Sequence, residues 1–210
     1  IEPFDGSRRA LVVRPQPLAE GIGDRRRQRH GFHGPHGIPP SDPECMAIDD
    51  ELINRITWKI PNALALVGSA HDGERNAMTT SWITQLSMEP VLIGVGVDNS
   101  AVTHRLISGS GAFTVNLWDS QNTRPFVKFS KPAVDDGDTL NGWTVKAATT
   151  GTPVFADAIA WMDCEVRHTL DLGTHTLFVG ELVDGEIRDD DARSAAMSDT
   201  RMKYGGVKRH

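Results

Sequence analysis

Asn76-Ala77-Met78-Thr79-Thr80-Ser81-Trp82 sets an amide, three adjacent hydroxyls and an indole in one short run. Ahead of it, Ala63 to Gly68 has the composition of a buried strand. His71-Asp72-Gly73-Glu74-Arg75 lies between the two, and Asp-Gly between strand-like runs favours a hairpin. Asn76 to Thr84 is therefore predicted as the returning strand, with Thr79, Ser81 and Ile83 on one face and Thr80, Trp82 and Thr84 on the other. A strand with hydroxyls on both faces gains little from burial. Two readings follow. One is a solvated edge strand anchored by Trp82; the other is a strand whose backbone groups and hydroxyls grip a planar polar ligand beside Trp82.

Outward from this run the β pattern continues. Ser87-Met88-Glu89-Pro90 reads as a turn and Val91 to Val97 as a buried strand. Gly94 and Gly96 share one face of it, so either the sheet bends sharply there or something approaches the backbone closely. Asp98-Asn99-Ser100 leads into a short helix over Ala101 to Ser108, with Asn99 or Ser100 as its N-cap. A helix start offers free N–H groups and partial positive charge to an anion, and Ser100 and Thr103 can add hydroxyls to a phosphate site. His104 reads as solvated or part of a rim.

Ala112 to Trp118 alternates as a half-buried strand. Ser120 to Phe129 is predicted as a helix that Pro125 keeps short. Pro132 to Gly142 reads as a loop, followed by a short strand from Trp143 to Ala147. Ile159 to Leu170 is a long alternating strand that places Cys164 on its apolar side, where an inert thiol is expected. Asp171 to Thr174 is a turn, His175 to Leu182 the partner strand, and Asp184-Gly185 a further turn.

These stretches together resemble the flavin reductase-like, FMN-binding split-barrel family, from about Trp58 to His210. NAMTTSW after an apolar strand and an Asp-Gly turn is similar to its flavin-binding segment, and DNSAVTHRLI to its strand-to-helix segment. GAFTVNLW, the strand bearing Cys164, GTHTLFVGEL and the ending RMKYGGVKR agree. The resemblance implies a mainly β fold with short helices, an FMN-binding split β-barrel. It implies flavin contacts from Asn76, Met78, Thr79, Thr80, Ser81 and Trp82, and an FMN tail held by Asp98, Asn99, Ser100 and Thr103. A basic residue is expected at Lys128 or Lys131, with Lys131 the better placed. His175 would stand at the flavin or nicotinamide and is the candidate catalytic residue, although Thr174 replaces the family's usual Asp beside it. Tyr204 would cover the flavin.

The activity implied is hydride transfer from NADH or NADPH to flavin, with onward transfer to free flavin, oxygen, a metal complex or a protein such as a monooxygenase. FMN would be prosthetic group or substrate. A non-enzymatic FMN electron carrier of the flavoredoxin kind, reduced by a protein partner, is the alternative, and a flavin-free binding module a third. The family implies a homodimer. No strand–GxGxxG–helix unit stands in the chain, so a Rossmann site is not expected.

Composition sets the remaining bounds. The chain has 210 residues and a formal net charge of -6, which argues against a general nucleic-acid binder. No apolar run approaches the roughly 20 residues of a membrane span. Cys45 and Cys164 lack zinc-type spacing, so no metal site is expected and both read as reduced thiols of a cytoplasmic protein. Residues 1–45 differ from the rest. Arg25-Arg26-Arg27, spaced histidines His30, His33 and His36, and clustered Gly and Pro leave little apolar surface to offset the entropy of ordering. They are expected to be a disordered leader, upstream of a domain over residues 46–210.

Overall fold

The computed structural model describes residues 48–207; the expected leader and its three histidines lie outside them. Ten strands carry the described chain: β1 Ala65–His71, β2 Glu74–Thr80, β3 Ile83–Met88, β4 Val91–Asp98, β5 Ala112–Leu117, β6 Thr139–Leu140, β7 Trp143–Ala147, β8 Pro153–Phe155, β9 Ala160–Asp171 and β10 His175–Ile187. The helices are α1 Asp50–Thr57, α2 Val102–Ser110 and α3 Arg124–Lys128, with a 3-10 turn at Met197–Asp199. This is the mainly β architecture with short helices that the sequence implies.

The β1–β2 hairpin forms where Asp-Gly predicts it. Asp72 (φ 47°) and Gly73 (φ 80°) both have positive φ, the twist a two-residue hairpin loop requires. The main sheet then runs β2-β1-β5-β9-β10-β4-β3, antiparallel at each described pairing. Its two edges, β2 and β3, are consecutive in the chain with two residues between them. Three peptide steps from Thr80 to Ile83 reach only about 11 Å. The sheet must therefore curl until its edges nearly meet, yet no β2–β3 ladder forms among the described residues. That is a split barrel.

The continuous strand expected over Asn76 to Thr84 is therefore two strands. At Ser81-Trp82 the chain leaves β1 and joins β4, with Gly96 N–H donating to Trp82 O at 2.9 Å. Three other expectations also change. The Asp184-Gly185 turn is a register shift inside β10, which continues to Ile187. The helix over Ser120 to Phe129 shrinks to α3, with Pro125 in its first turn. The loop over Pro132 to Gly142 contains β6, paired with β7.

β1 is buried on both faces. Ala65 and Val67 pack inside the barrel with Val95, Val97, Phe113, Val115, Cys164 and Phe178, and α2 adds Ile107. Leu64 and Leu66 face Trp118, Phe126, Phe129 and Phe155 beneath the small β6–β7–β8 sheet. Asn116, wholly buried, ties the two layers: its Nδ2 donates to Leu66 O and its Oδ1 accepts Phe155 N–H at 3.0 Å. Burial, and then the charge of Asp163, push the Cys164 thiol up to about 12, so it stays protonated and inert.

Gly94 and Gly96 are explained by close approach. A Cβ at Gly96 would lie 3.1 Å from Trp82 Cε3, and one at Gly94 2.7 Å from Leu86 Cδ1. The Trp82 side chain thus packs on the outer face of β4, where the site is built.

Candidate functional site

The register of β4 and β10 sets His175 opposite Asp98. The break after β2 brings Trp82 to the same place, with its ring centroid 4.6 Å from that of His175. The tail returns Tyr204, 5.1 Å from the Trp82 ring. Tyr204 Oη lies 2.9 Å from His175 Nε2, and Thr174 Oγ1 lies 2.9 Å from Nδ1. The Thr174 hydroxyl thus stands where the sequence suggested a lost carboxylate. Burial, with the charge of Asp98 as a smaller cause, raises the Tyr204 pKa. The protonated phenol and the Thr174 hydroxyl can each donate or accept, so the ring is held at both nitrogens in either neutral tautomer.

The tail is fastened by α1. Trp58 Nε1–H donates to Gly205 O at 3.2 Å, and Val207 N–H to Asn54 Oδ1 at 2.9 Å. Lys203 Nζ sits 4.6 Å from the Trp58 ring centroid. Gly205 (φ 104°) and Gly206 (φ 90°) lie in the left-handed region, and a Cβ at Gly206 would collide with Asn54.

Three cavities share Tyr204, and two of them gather the residues singled out from the sequence. The larger, about 630 Å³, is lined by Trp82, Asp98, His175 and Tyr204, with Trp58 and Lys203 at its outer wall. The smaller, about 300 Å³, lies between β2, the start of α2 and the segment Phe129–Pro132. Asn76, Met78, Thr79, Thr80, Ser100, Thr103 and Lys131 line it, with Tyr204.

Several of these groups already have partners. Asn76 is buried; its Nδ2 donates to Thr103 Oγ1 at 2.8 Å and its Oδ1 accepts Ala133 N–H at 2.7 Å. Asn76 and Thr103 thus brace the wall. Thr79 Oγ1 donates to Phe126 O at 2.7 Å, anchoring α3, and Thr80 Oγ1 accepts Trp82 N–H at 3.3 Å. Ser81 lines neither cavity as described. Its Oγ is buried and has no hydrogen-bond partner among the described residues.

The expected N-cap at Asn99 or Ser100 does not form. Asp98 Oδ1 accepts both Ser100 N–H (2.8 Å) and Ser100 Oγ–H (2.6 Å). Asn99 turns the other way: its Nδ2 donates to Gly173 O and its Oδ1 accepts the Thr176 hydroxyl, both at 2.9 Å. Asn99 therefore lines neither cavity. Ala101 takes the N-cap position and has no side-chain oxygen, so no side chain caps the first turn of α2, which faces the smaller cavity beside Lys131. His104 is half-buried. Thr176 has spent its one proton on Asn99, so His104 donates Nε2–H to Thr176 Oγ1 at 2.9 Å.

Trp58, Lys203 and Asn54 were missed from sequence. They enter the site only because the tail docks on α1, a contact about 150 residues apart in the chain that local pattern does not carry. Among the described residues no group of three or more His, Cys, Asp or Glu could hold a metal ion, and no helix is long and apolar enough to cross a membrane.

Comparison with known proteins bears on this geometry. Residues 57–207 match the family model described as flavin reductase like domain. The chain is 32% identical over 135 residues to the ferric-chelate reductase (NAD(P)H) of Archaeoglobus fulgidus, covering 63% of this chain and 80% of that protein. It is 28% identical over 139 residues to the NADH-dependent FAD reductase of Streptomyces globisporus, covering 64% of this chain and 75% of that protein. Among solved structures, the flavin reductase HpaC complexed with NADP+ superposes with a TM-score of 0.63 at 25% identity, over 76% of this chain and 98% of that one.

Proposed function

The chain belongs to the flavin reductase-like family, and from that premise we propose that it is an NAD(P)H-dependent flavin reductase that binds FMN across these two cavities. The observation that carries this reading is the meeting of Trp82, His175 and Tyr204 at one mouth, above a cavity that ends on an uncapped helix start. Bound flavin supplies the redox chemistry, accepting hydride from the nicotinamide.

The chain's own residues do the holding. The first-turn amides of α2 and the Lys131 ammonium meet the phosphate; the Ser100 hydroxyl, whose proton goes to Asp98 Oδ1, keeps a lone pair for a water at that edge. Met78 and Thr80 form the floor, Thr79 and Asn76 hold it in place, and Trp82 forms the wall. His175, oriented by Thr174 and Tyr204, orients the donor at the rim. Asp98 fixes the strand end opposite it, and Asn99 ties the adjoining hairpin turn. The domain that does this is residues 46–210, without the leader.

The purified protein should show a flavin visible spectrum that NADH or NADPH bleaches under nitrogen. Removing residues 1–45 should leave both signals unchanged. A colourless protein that gains no flavin on titration would leave a flavin-free binding module. A flavin spectrum that no nicotinamide bleaches would favour the electron carrier instead. The seat of Tyr204 against His175 and Trp82, on the side a donor would approach, is the feature that supports that second reading.

The protein is also proposed to be a homodimer. The outer face of β9, β10, β4 and β3 leaves Leu86 and Leu170 exposed, at 48% and 55%. An uncovered apolar sheet face of this kind suits a twofold partner. Sedimentation should give a dimer at micromolar concentration with FMN bound; a monomer would rule it out.

A further inference from the structure

Resting on the flavin reading above, we infer that the ion pair between Arg75 and Asp135 makes this site select FMN over FAD by denying a cation to the second phosphate. The smaller cavity does not stop at the start of α2. Asn76, Val102 and Pro132 line both it and a neighbouring open depression of about 530 Å³. A flavin that continues beyond its first phosphate at α2 enters this depression.

The walls it meets there are acidic. Asp72, Glu74 and Asp135 line the depression, and Arg75 is the one cation among its lining residues. That guanidinium is already committed. Its Nε donates to Asp135 Oδ2 at 2.9 Å, and one terminal nitrogen donates to both Asp135 Oδ1 and Gly137 O, the latter at 2.7 Å. Arg105, on α2, is held by both oxygens of Glu74 at 2.7 and 2.8 Å. Asp136 and Asp138 lie close enough to add to the negative field at Arg75. The Arg75 contact keeps the Asp135 carboxyl below its usual range, so the pair stays charged through neutral pH.

FMN ends before this wall. The second phosphate and adenosine of FAD would enter a surface with three carboxylates and no uncommitted donor cation among its lining residues. Asp135 is thus a specificity-determining residue: it touches no flavin itself and acts by occupying Arg75.

The test is an equilibrium titration of the full chain with FMN and with FAD at low salt, followed by flavin fluorescence. Wild type should bind FMN at least about tenfold tighter, an effect of the size expected for one unit charge a few ångströms away. Asp135→Asn should leave FMN affinity unchanged and tighten FAD by about tenfold, because Arg75 becomes available. The double variant Arg75→Gln/Asp135→Asn, which has no cation to offer, should lose that gain. Wild type binding FAD as tightly as FMN, or an unchanged ratio in Asp135→Asn, would overturn the inference. If Asp135→Asn fails to fold, Asp72→Asn removes one wall charge with the ion pair intact and should shift the ratio the same way by a smaller factor; no shift overturns it equally. Folded wild type binding neither flavin would instead sink the flavin reading, and this inference with it.

Discussion

His175→Ala should slow reduction of bound flavin by NADH or NADPH by roughly 10- to 1000-fold, because misplacing a reacting pair by about an ångström is costly. The geometry gives the reason. The imidazole is held at both nitrogens, by Thr174 and Tyr204, and against Trp82, so its position is fixed before any donor arrives. Alanine removes the group that would orient the donor and also releases Tyr204. Stability should change little, since the side chain sits at a cavity mouth and leaves no void in the packed interior. FMN affinity should fall only modestly, because the phosphate end lies in the other cavity, at the start of α2. Stopped-flow reduction beside a thermal melt separates the outcomes. An unchanged rate removes His175 from the mechanism. A collapsed melt with lost flavin makes it a structural residue.

Phe113→Ala should cost about 3–5 kcal/mol of stability, the range for removing a buried aromatic ring. Phe113 is wholly buried at the centre of the barrel, among Val115, Cys164 and Phe178. Its ring fills the space beside Gly180: a Cβ there would lie 2.7 Å from Phe113 Cε1 and 2.8 Å from Cys164 Cβ. Interior packing of this kind relaxes poorly, so the cavity term adds to the lost transfer energy. For a chain of this size the melting temperature should fall by roughly 6–20 °C. A loss below about 1 kcal/mol would mean the interior collapses into the void.

The strands were legible wherever a local pattern determined them. Asp72-Gly73 marks a hairpin because both positions need positive φ, and Ala112 to Leu117 alternates because Phe113 and Val115 meet the barrel interior; the half-buried strand expected there is instead buried on both faces, with Thr114 and Asn116 bonded to Pro153 O, Leu66 O and Phe155 N–H beneath β8. The helix over Ala101 to Ser108 was legible within two residues. The break at Ser81-Trp82 was not, because Thr, Ser and Trp suit a strand in either partner's ladder. What interrupts the strand is the switch from β1 to β4, a tertiary event. The cap at Asn99 or Ser100 failed for a related reason. Both residues are good caps in isolation, but Asp98 takes Ser100 and the β9–β10 turn takes Asn99. Met78, Thr79, Thr80, Ser100, Thr103 and Lys131 do come to one cavity, and Trp82, Asp98 and His175 to the other. Their grouping came from the family resemblance, since no spacing rule joins Thr80 to Lys131. The docking of the tail on α1 left no trace in local sequence at all.

The two residues between β2 and β3 have one more consequence. No described ladder pairs β2 with β3, so the peptide link at Ser81-Trp82 acts as a stitch across the open seam. A circular permutant re-cut at that point would keep the whole ladder and the core behind it. It would lose the fixed spacing of Trp82 from Thr80, and with it the width of the slot that a planar ring must enter. In this molecule the durability of the fold and the calibre of its binding slot are set by different bonds, and one can be altered without the other.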